Sequence, residues 1–229
     1  MKTDYSENTF TVDLCFPEGE SLFLRKAYTS AHVILEYGSG GSSILASEQP
    51  GKLVFSVESD RNWAIRLQAE IDARDLLSPA HLYHVDIGPT GEWGRPVSPD
   101  AWTRFHRYPL AIWDEPFFRQ PDVVLIDGRF RPACFMAVLL RTRKPVTVLF
   151  DDYTTRPAYH SVEDFLTPSE IVGRMAVFEV APRTWDATEA PALMDHFFRA
   201  TYHGQKSGRY EAPLTQQSEA GSHGGRVHD

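Results

Sequence analysis

Six short apolar runs, separated by stretches of helical spacing, constrain this chain more than any other feature. HVILEYG (32–38), LVFSVES (53–59), LYHVDIG (82–88), DVVLIDG (122–128) and VTVLFDDY (146–153) are rich in Val, Ile, Leu and Phe and do not alternate strictly. Strands buried on both faces of a parallel sheet read this way. GRMAVFEVA (173–181) alternates more clearly, which predicts a sixth strand nearer an edge. Between the runs, residues 61–77 place Trp63, Ile65, Leu67, Ile71 and Leu76 near one helical face. Residues 131–141 read as a second helix, with Pro132 tolerated in its first turn. Pro17–Ala27, 99–107 and 191–203 are further helical stretches. Strands alternating with helices predict an α/β fold of three layers, with helices on both faces of a mostly parallel sheet.

The 229 residues, 42% of them hydrophobic, suit one domain. We place it at 1–203, with residues 1–30 forming an N-terminal arm (9–16, strand or extended) and a helix. Residues 204–229 are rich in Gly, Ser, Gln and His and hold too little apolar surface to offset ordering, so they read as a flexible tail. The tail's charges cancel, and the net charge of −8 therefore belongs to the rest of the chain. An acidic chain is a poor partner for nucleic acid or an anionic membrane surface, because phosphate contacts need clustered Lys and Arg. No apolar stretch reaches the roughly 18 residues of a membrane span. The first ten residues lack the pattern of a secretory signal. Cys15 and Cys134 make no disulfide framework, so a cytoplasmic location is expected.

The segment Glu36-Tyr37-Gly38-Ser39-Gly40-Gly41-Ser42-Ser43 follows the first strand and opens a helix. In open α/β sheets ligands bind outside the carboxyl ends of strands, and glycine lets a ligand approach the backbone. A plain turn is the bland alternative. A nicotinamide fingerprint would put a third glycine at position 43, which is Ser, and an apolar residue where Glu36 stands. The pattern E-x-G-x-G instead resembles motif I of the class I S-adenosylmethionine (SAM)-dependent methyltransferases, a Rossmann-like fold. The resemblance spans about residues 30–180. It implies SAM as cofactor, with Glu36, Gly38, Ser39, Gly40 and Ser42 against its amino-acid and sulfonium part. It also implies that Glu58 accepts the ribose hydroxyls, that Asp86 binds the adenine amino group, and that Ile87 packs on the ring. Each acid alone could equally be a helix cap or a solvated strand end. A carboxylate near the loop suits a cationic cofactor, where it would repel a pyrophosphate. The hairpin that usually completes such sheets is not legible. Either an N-terminal strand completes the sheet or the sheet is shortened.

Methyl transfer needs an aligned acceptor and often a base. Asp127-Gly128-Arg129 follows the fourth strand and Asp151-Asp152 the fifth, so adjacent strands bring these acids together. The arrangement resembles the catechol-type O-methyltransferases, which implies Asp127, Asp151 and Asp152 as ligands of Mg²⁺, an ion that suits an all-oxygen set. The alternative is a metal-free site in which Arg129 or Arg131 pairs with the acids and the acceptor is anionic or polar. Arg129 stays protonated and would be a poor base. His160, after the fifth strand, is a candidate base or a surface residue. The connection 88–121 is aromatic and long enough to be functional. Its aromatics either pack the sheet or wall an acceptor pocket, and 91–95 lies close enough to the Asp86 turn to cover adenine or substrate. The expected activity is methyl transfer to a small-molecule or sugar-like hydroxyl. A SAM- or nucleotide-binding module without catalysis and an NAD-dependent dehydrogenase are the alternatives.

Overall fold

The computed structural model describes residues 12–200 and 202. Residues 9–11 of the arm and the tail at 204–229 lie outside them, and residues 12–16 form no strand. The first element is α1 (Glu18–Ser30), which Pro17 precedes. It leads into β1 (Val33–Tyr37), α2 (Gly41–Ser47), β2 (Leu53–Glu58), α3 (Arg61–Ala73) and β3 (Ala80–His84). After a long connection holding two single-turn helices, α4 (Trp102–Phe105) and α5 (Arg107–Leu110), come β4 (Val123–Ile126), α6 (Arg131–Arg141) and β5 (Val146–Phe150). The chain closes with β6 (Glu170–Val172), β7 (Met175–Val180) and α7 (Ala190–Asp195).

The seven strands among the described residues join one sheet in the order β3-β2-β1-β4-β5-β7-β6. The first five pair in parallel, and β7 runs antiparallel to both β5 and β6. The missing hairpin is therefore present. Its first strand is three residues long, too short to show a periodicity, and it takes the edge position expected of 173–181. The N-terminal residues add no strand among those described.

Alternation along the strands divides the core. Ile34, Val54, Leu125 and Leu149 face α1 and α2, against Leu24, Tyr28, Leu45 and Ala46. Leu35, Val57, Val124, Ile126 and Phe150 face the opposite side, under α6 and the connection between β3 and β4. There Phe135 of α6 meets Phe178 of β7 with ring centroids 4.6 Å apart. Each such fully buried side chain stabilises the fold by about 1.5–3 kcal/mol. Most aromatics of the long connection (Phe105, Tyr108, Trp113 and Phe118) are spent on this layer, whereas Trp93 and Trp102 stay exposed. The helix expected at 99–107 is broken into short turns, and the one expected at 191–203 ends early, at Asp195, in a 3₁₀ turn. No helix among the described residues is long and apolar enough to cross a membrane.

Candidate functional site

The loop after β1 is shaped by a close approach. Gly38 has φ +97°, and a Cβ on it would lie 2.8 Å from the backbone of Gly128. A Cβ on Gly128 would in turn meet the Tyr108 hydroxyl and the Gly38 nitrogen. The turns after β1 and β4 can touch only because both positions lack a side chain. Beside this contact opens a cavity of about 450 Å³, a volume usual for small-ligand sites. Gly38–Ser42 form one wall, and Glu58, Asp127 and Arg129 line it further round.

Glu58 is nearly buried and holds the loop to the start of α3. Its Oε2 accepts from Ser39 Oγ at 2.8 Å, and its Oε1 accepts from the backbone N–H groups of Ser59 (2.7 Å) and Asp60 (2.9 Å). Asp60 caps α3 by accepting from the N–H groups of Asn62 and Trp63. The Trp63 indole N–H donates back to the Ser39 carbonyl at 3.0 Å. Asp60 and Trp63 also line the cavity, as do Trp93, Tyr108 and the arm residues Asp13 and Phe16. The position of Asp60 two residues past the end of β2 was a legible sign. The arm, lying outside the apolar pattern, gave none.

Glu36 is corrected. Alternation in β1 turns its side chain away from the cavity, toward the layer of α1 and α2. There Tyr28 donates to its Oε1 at 2.6 Å, while Ser56 (2.7 Å) and Ser43 donate to Oε2. Ser43 also accepts the Gly40 N–H at 3.3 Å, so Glu36 supports the loop from beneath. Burial raises its pKa against the lowering effect of the hydroxyls of Ser43, Tyr28, Ser56 and Ser42. Ser43, which read as a departure from the nicotinamide pattern, has this linking role.

Asp86 and Ile87 are also corrected. β3 ends at His84, two residues before Asp86, because an edge strand is paired on one side only. The Asp86 carboxylate faces solvent, accepts from the Gly88 N–H and pairs with Arg104 at 2.7 Å. Those contacts hold its pKa low, the Gly88 bond first. Ile87 is fully buried in the core, and neither residue lines the cavity. Trp93 and Gly94, from the stretch expected to cover adenine or substrate, line it instead.

Asp127, Asp151 and Asp152 do come together, with carboxylate oxygens within 4.8 Å of one another. Each is matched by an arginine. Asp151 is held by Arg174 through two bonds, of 2.9 and 2.8 Å. Asp152 pairs with Arg156 at 2.8 Å and Arg131 at 3.1 Å. Asp127 pairs with Arg131 at 2.8 Å. The Arg131 side chain is 4% exposed, and it also donates to the carbonyls of Asp127, Gly128 and Asp151. Burial alone would lower its pKa, but the three acids and Tyr159 raise it. Three acids against three guanidinium groups leave no net charge for a divalent cation, so this set does not fit Mg²⁺. Asp127 lines the cavity, and its pKa is pushed up to about 6, by desolvation first and by Asp151 and Asp152 against the pull of Arg131. His160 is corrected as a base. It is exposed, stacks on Tyr153 and donates from Nε2 to the Tyr153 carbonyl at 3.1 Å, away from the cavity lining.

The chain is 46% identical to a methyltransferase-like protein from Silicibacter pomeroyi, over 82% of this chain and 97% of that one, with a TM-score of 0.77. It belongs to that methyltransferase-like family. The fold is that of the class I SAM-dependent methyltransferases. A cofactor-bound protein from MTB shares it at 15% identity, over 74% of this chain and 83% of that one, with a TM-score of 0.54. A SAM-dependent O-methyltransferase from Thermotoga maritima does so at 10% identity, over 78% and 71%, with a TM-score of 0.50. No family model matches the chain, and no curated protein does.

Proposed function

We propose that this methyltransferase-like protein binds SAM in the cavity beside Gly38–Ser42 and methylates a hydroxyl of a small-molecule or sugar-like acceptor, without a metal ion. The observation that carries the reading is the cavity itself. It lies at the glycine loop of a methyltransferase fold, and the acids Asp13, Glu58, Asp60 and Asp127 line it against one cation among the described residues, Arg129. Such a lining favours a ligand that carries ammonium and sulfonium charges. The free Cys15 and Cys134 suit a reducing cytoplasm, and the net charge of −8 favours a small acceptor over nucleic acid.

When bound, the cofactor supplies a methyl group on a positively charged sulfur. The Glu58 carboxylate has acceptor capacity left on Oε2 for ribose hydroxyls. Asp127 accepts the proton of the acceptor hydroxyl as the oxygen attacks. A carboxylate raised to about 6 is a stronger base than an ordinary one and is still ionised at neutral pH. Asp151 does not serve this way, because it is fully buried against Arg174 and does not line the cavity.

Gly40 provides the test of the cofactor site. Its φ of 171° is ordinary extended backbone, and an added Cβ meets no protein atom within 4 Å. The fold therefore has no steric need for glycine here. We expect Gly40→Ala to melt like the native protein and to bind S-adenosylhomocysteine (SAH) at least about tenfold more weakly by calorimetry, a loss of about 1.4 kcal/mol. No heat with SAH or SAM in the native protein would sink the reading.

Asp127 sets the pH dependence. A cationic cofactor favours the ionised carboxylate, so binding below the raised pKa must expel a proton. SAM affinity should rise with pH and level off above about 7, being about tenfold weaker at about pH 5. Asp127→Asn should remove the slope. A slope that persists in this variant would place the titrating group elsewhere.

A further inference from the structure

The arginines around the strand ends fall into two sets. Arg131, Arg156 and Arg174 are matched by acids. Arg129 and Arg95 are not. Among the described residues neither side chain has an ion pair or a hydrogen-bond acceptor, and the Nε of each is buried without a partner. The two are close enough for Arg95 to lower the Arg129 pKa, after desolvation and Arg131. Arg129 lines the cavity beside Asp127 and Gly128, and Arg95 directly follows Gly94, which lines it too. A half-buried pair of like charges with unmet donors is costly unless an anion joins it. Guanidinium groups bind carboxylate and phosphate through paired N–H donors.

We propose that Arg95 and Arg129 form an oxyanion subsite that takes a carboxylate or phosphate group of the molecule bound in this cavity. The subsite rests on the methyltransferase reading for the identity of that molecule. The group belongs either to an acidic acceptor or to the cofactor's own α-carboxylate, and both present the same chemistry to the two guanidinium groups.

The test uses the full chain and the variants Arg129→Gln and Arg95→Gln. Both variants should melt at or above the native temperature, since each removes a half-buried cation whose Nε has no partner. A large loss of stability in both would mean that the side chains already have partners, and would overturn the subsite. SAH and its decarboxylated analogue are then compared by calorimetry. SAH binding weakened at least about tenfold in the variants, with the analogue unchanged, supports the subsite and assigns it to the cofactor. Unchanged SAH binding, with inorganic phosphate binding to the SAH-loaded native protein and at least about tenfold more weakly to the variants, supports it and assigns it to the acceptor. Native behaviour in both comparisons overturns it. Should the native protein not bind SAH, the cofactor reading fails by itself. Phosphate titration of the free protein, native against variant, then decides the subsite alone.

Discussion

Arg131→Met should destabilise the protein by about 3–5 kcal/mol, because it removes a buried guanidinium from two half-buried carboxylates and three backbone carbonyls that are left without a donor. Methionine keeps most of the volume, so the loss reports charge and hydrogen bonding more than packing. The variant removes donors to three backbone carbonyls and the guanidinium shared by Asp127 and Asp152. The melting temperature should fall by roughly 6–20 °C. Arg156→Met makes the comparison. Its ion pair with Asp152 is more exposed, with the Arg156 side chain at 27%, and should be worth about 1 kcal/mol or less. Urea unfolding of the two variants measures both values. A loss at Arg131 as small as that at Arg156 would mean that another cation neutralises the acids, and a melting temperature restored by added Mg²⁺ would identify it as a metal.

The second large effect is on the cofactor. Glu58→Gln should weaken SAH binding by about ten- to a hundredfold, because hydrogen bonds to a charged acceptor contribute about 1.5–3 kcal/mol each. Glutamine is the informative substitution. Its amide oxygen can take the Oε1 position and keep the bonds from the Ser59 and Asp60 N–H groups. Its amide nitrogen then replaces Oε2, where Ser39 Oγ can accept from it but ribose hydroxyls lose a charged acceptor. The melting temperature without ligand should change little. Alanine would confuse the two roles by freeing the loop and the α3 N-terminus together. SAH affinity equal to native in Glu58→Gln would remove the ribose assignment.

Much of the fold was legible because parallel strands buried on both faces carry a strong composition signal. Four of the five parallel strands and α6 sit close to where their apolar runs and Pro132 put them, and β3 lies earlier than its run. The meeting of Asp127 with Asp151 and Asp152 also followed from sequence, since it needs only that β4 and β5 be neighbours. β6 escaped notice because three residues carry no period. Asp86 and Ile87 were misplaced by reading the third apolar run as strand to its end. The tertiary structure stops β3 at the sheet edge and gives the cavity wall to Trp93 and Gly94.

The sequence by itself determined the alternation of strands and helices, the glycine turn at Gly38–Gly41, and the acids at the strand ends, because each depends on local spacing or on neighbouring strands. The tertiary structure decided which way each acid turns and which cation meets it. Glu36 and Glu58 both lie at strand ends beside the same loop. Strand parity sends the first under α1 and α2, to Tyr28 and Ser43, and leaves the second at the cavity. Arg174 reaches Asp151 from 23 residues away along the chain, across the β5–β7 pairing. Pairing over that separation is set by the packing of whole elements, and no local pattern of residues encodes it.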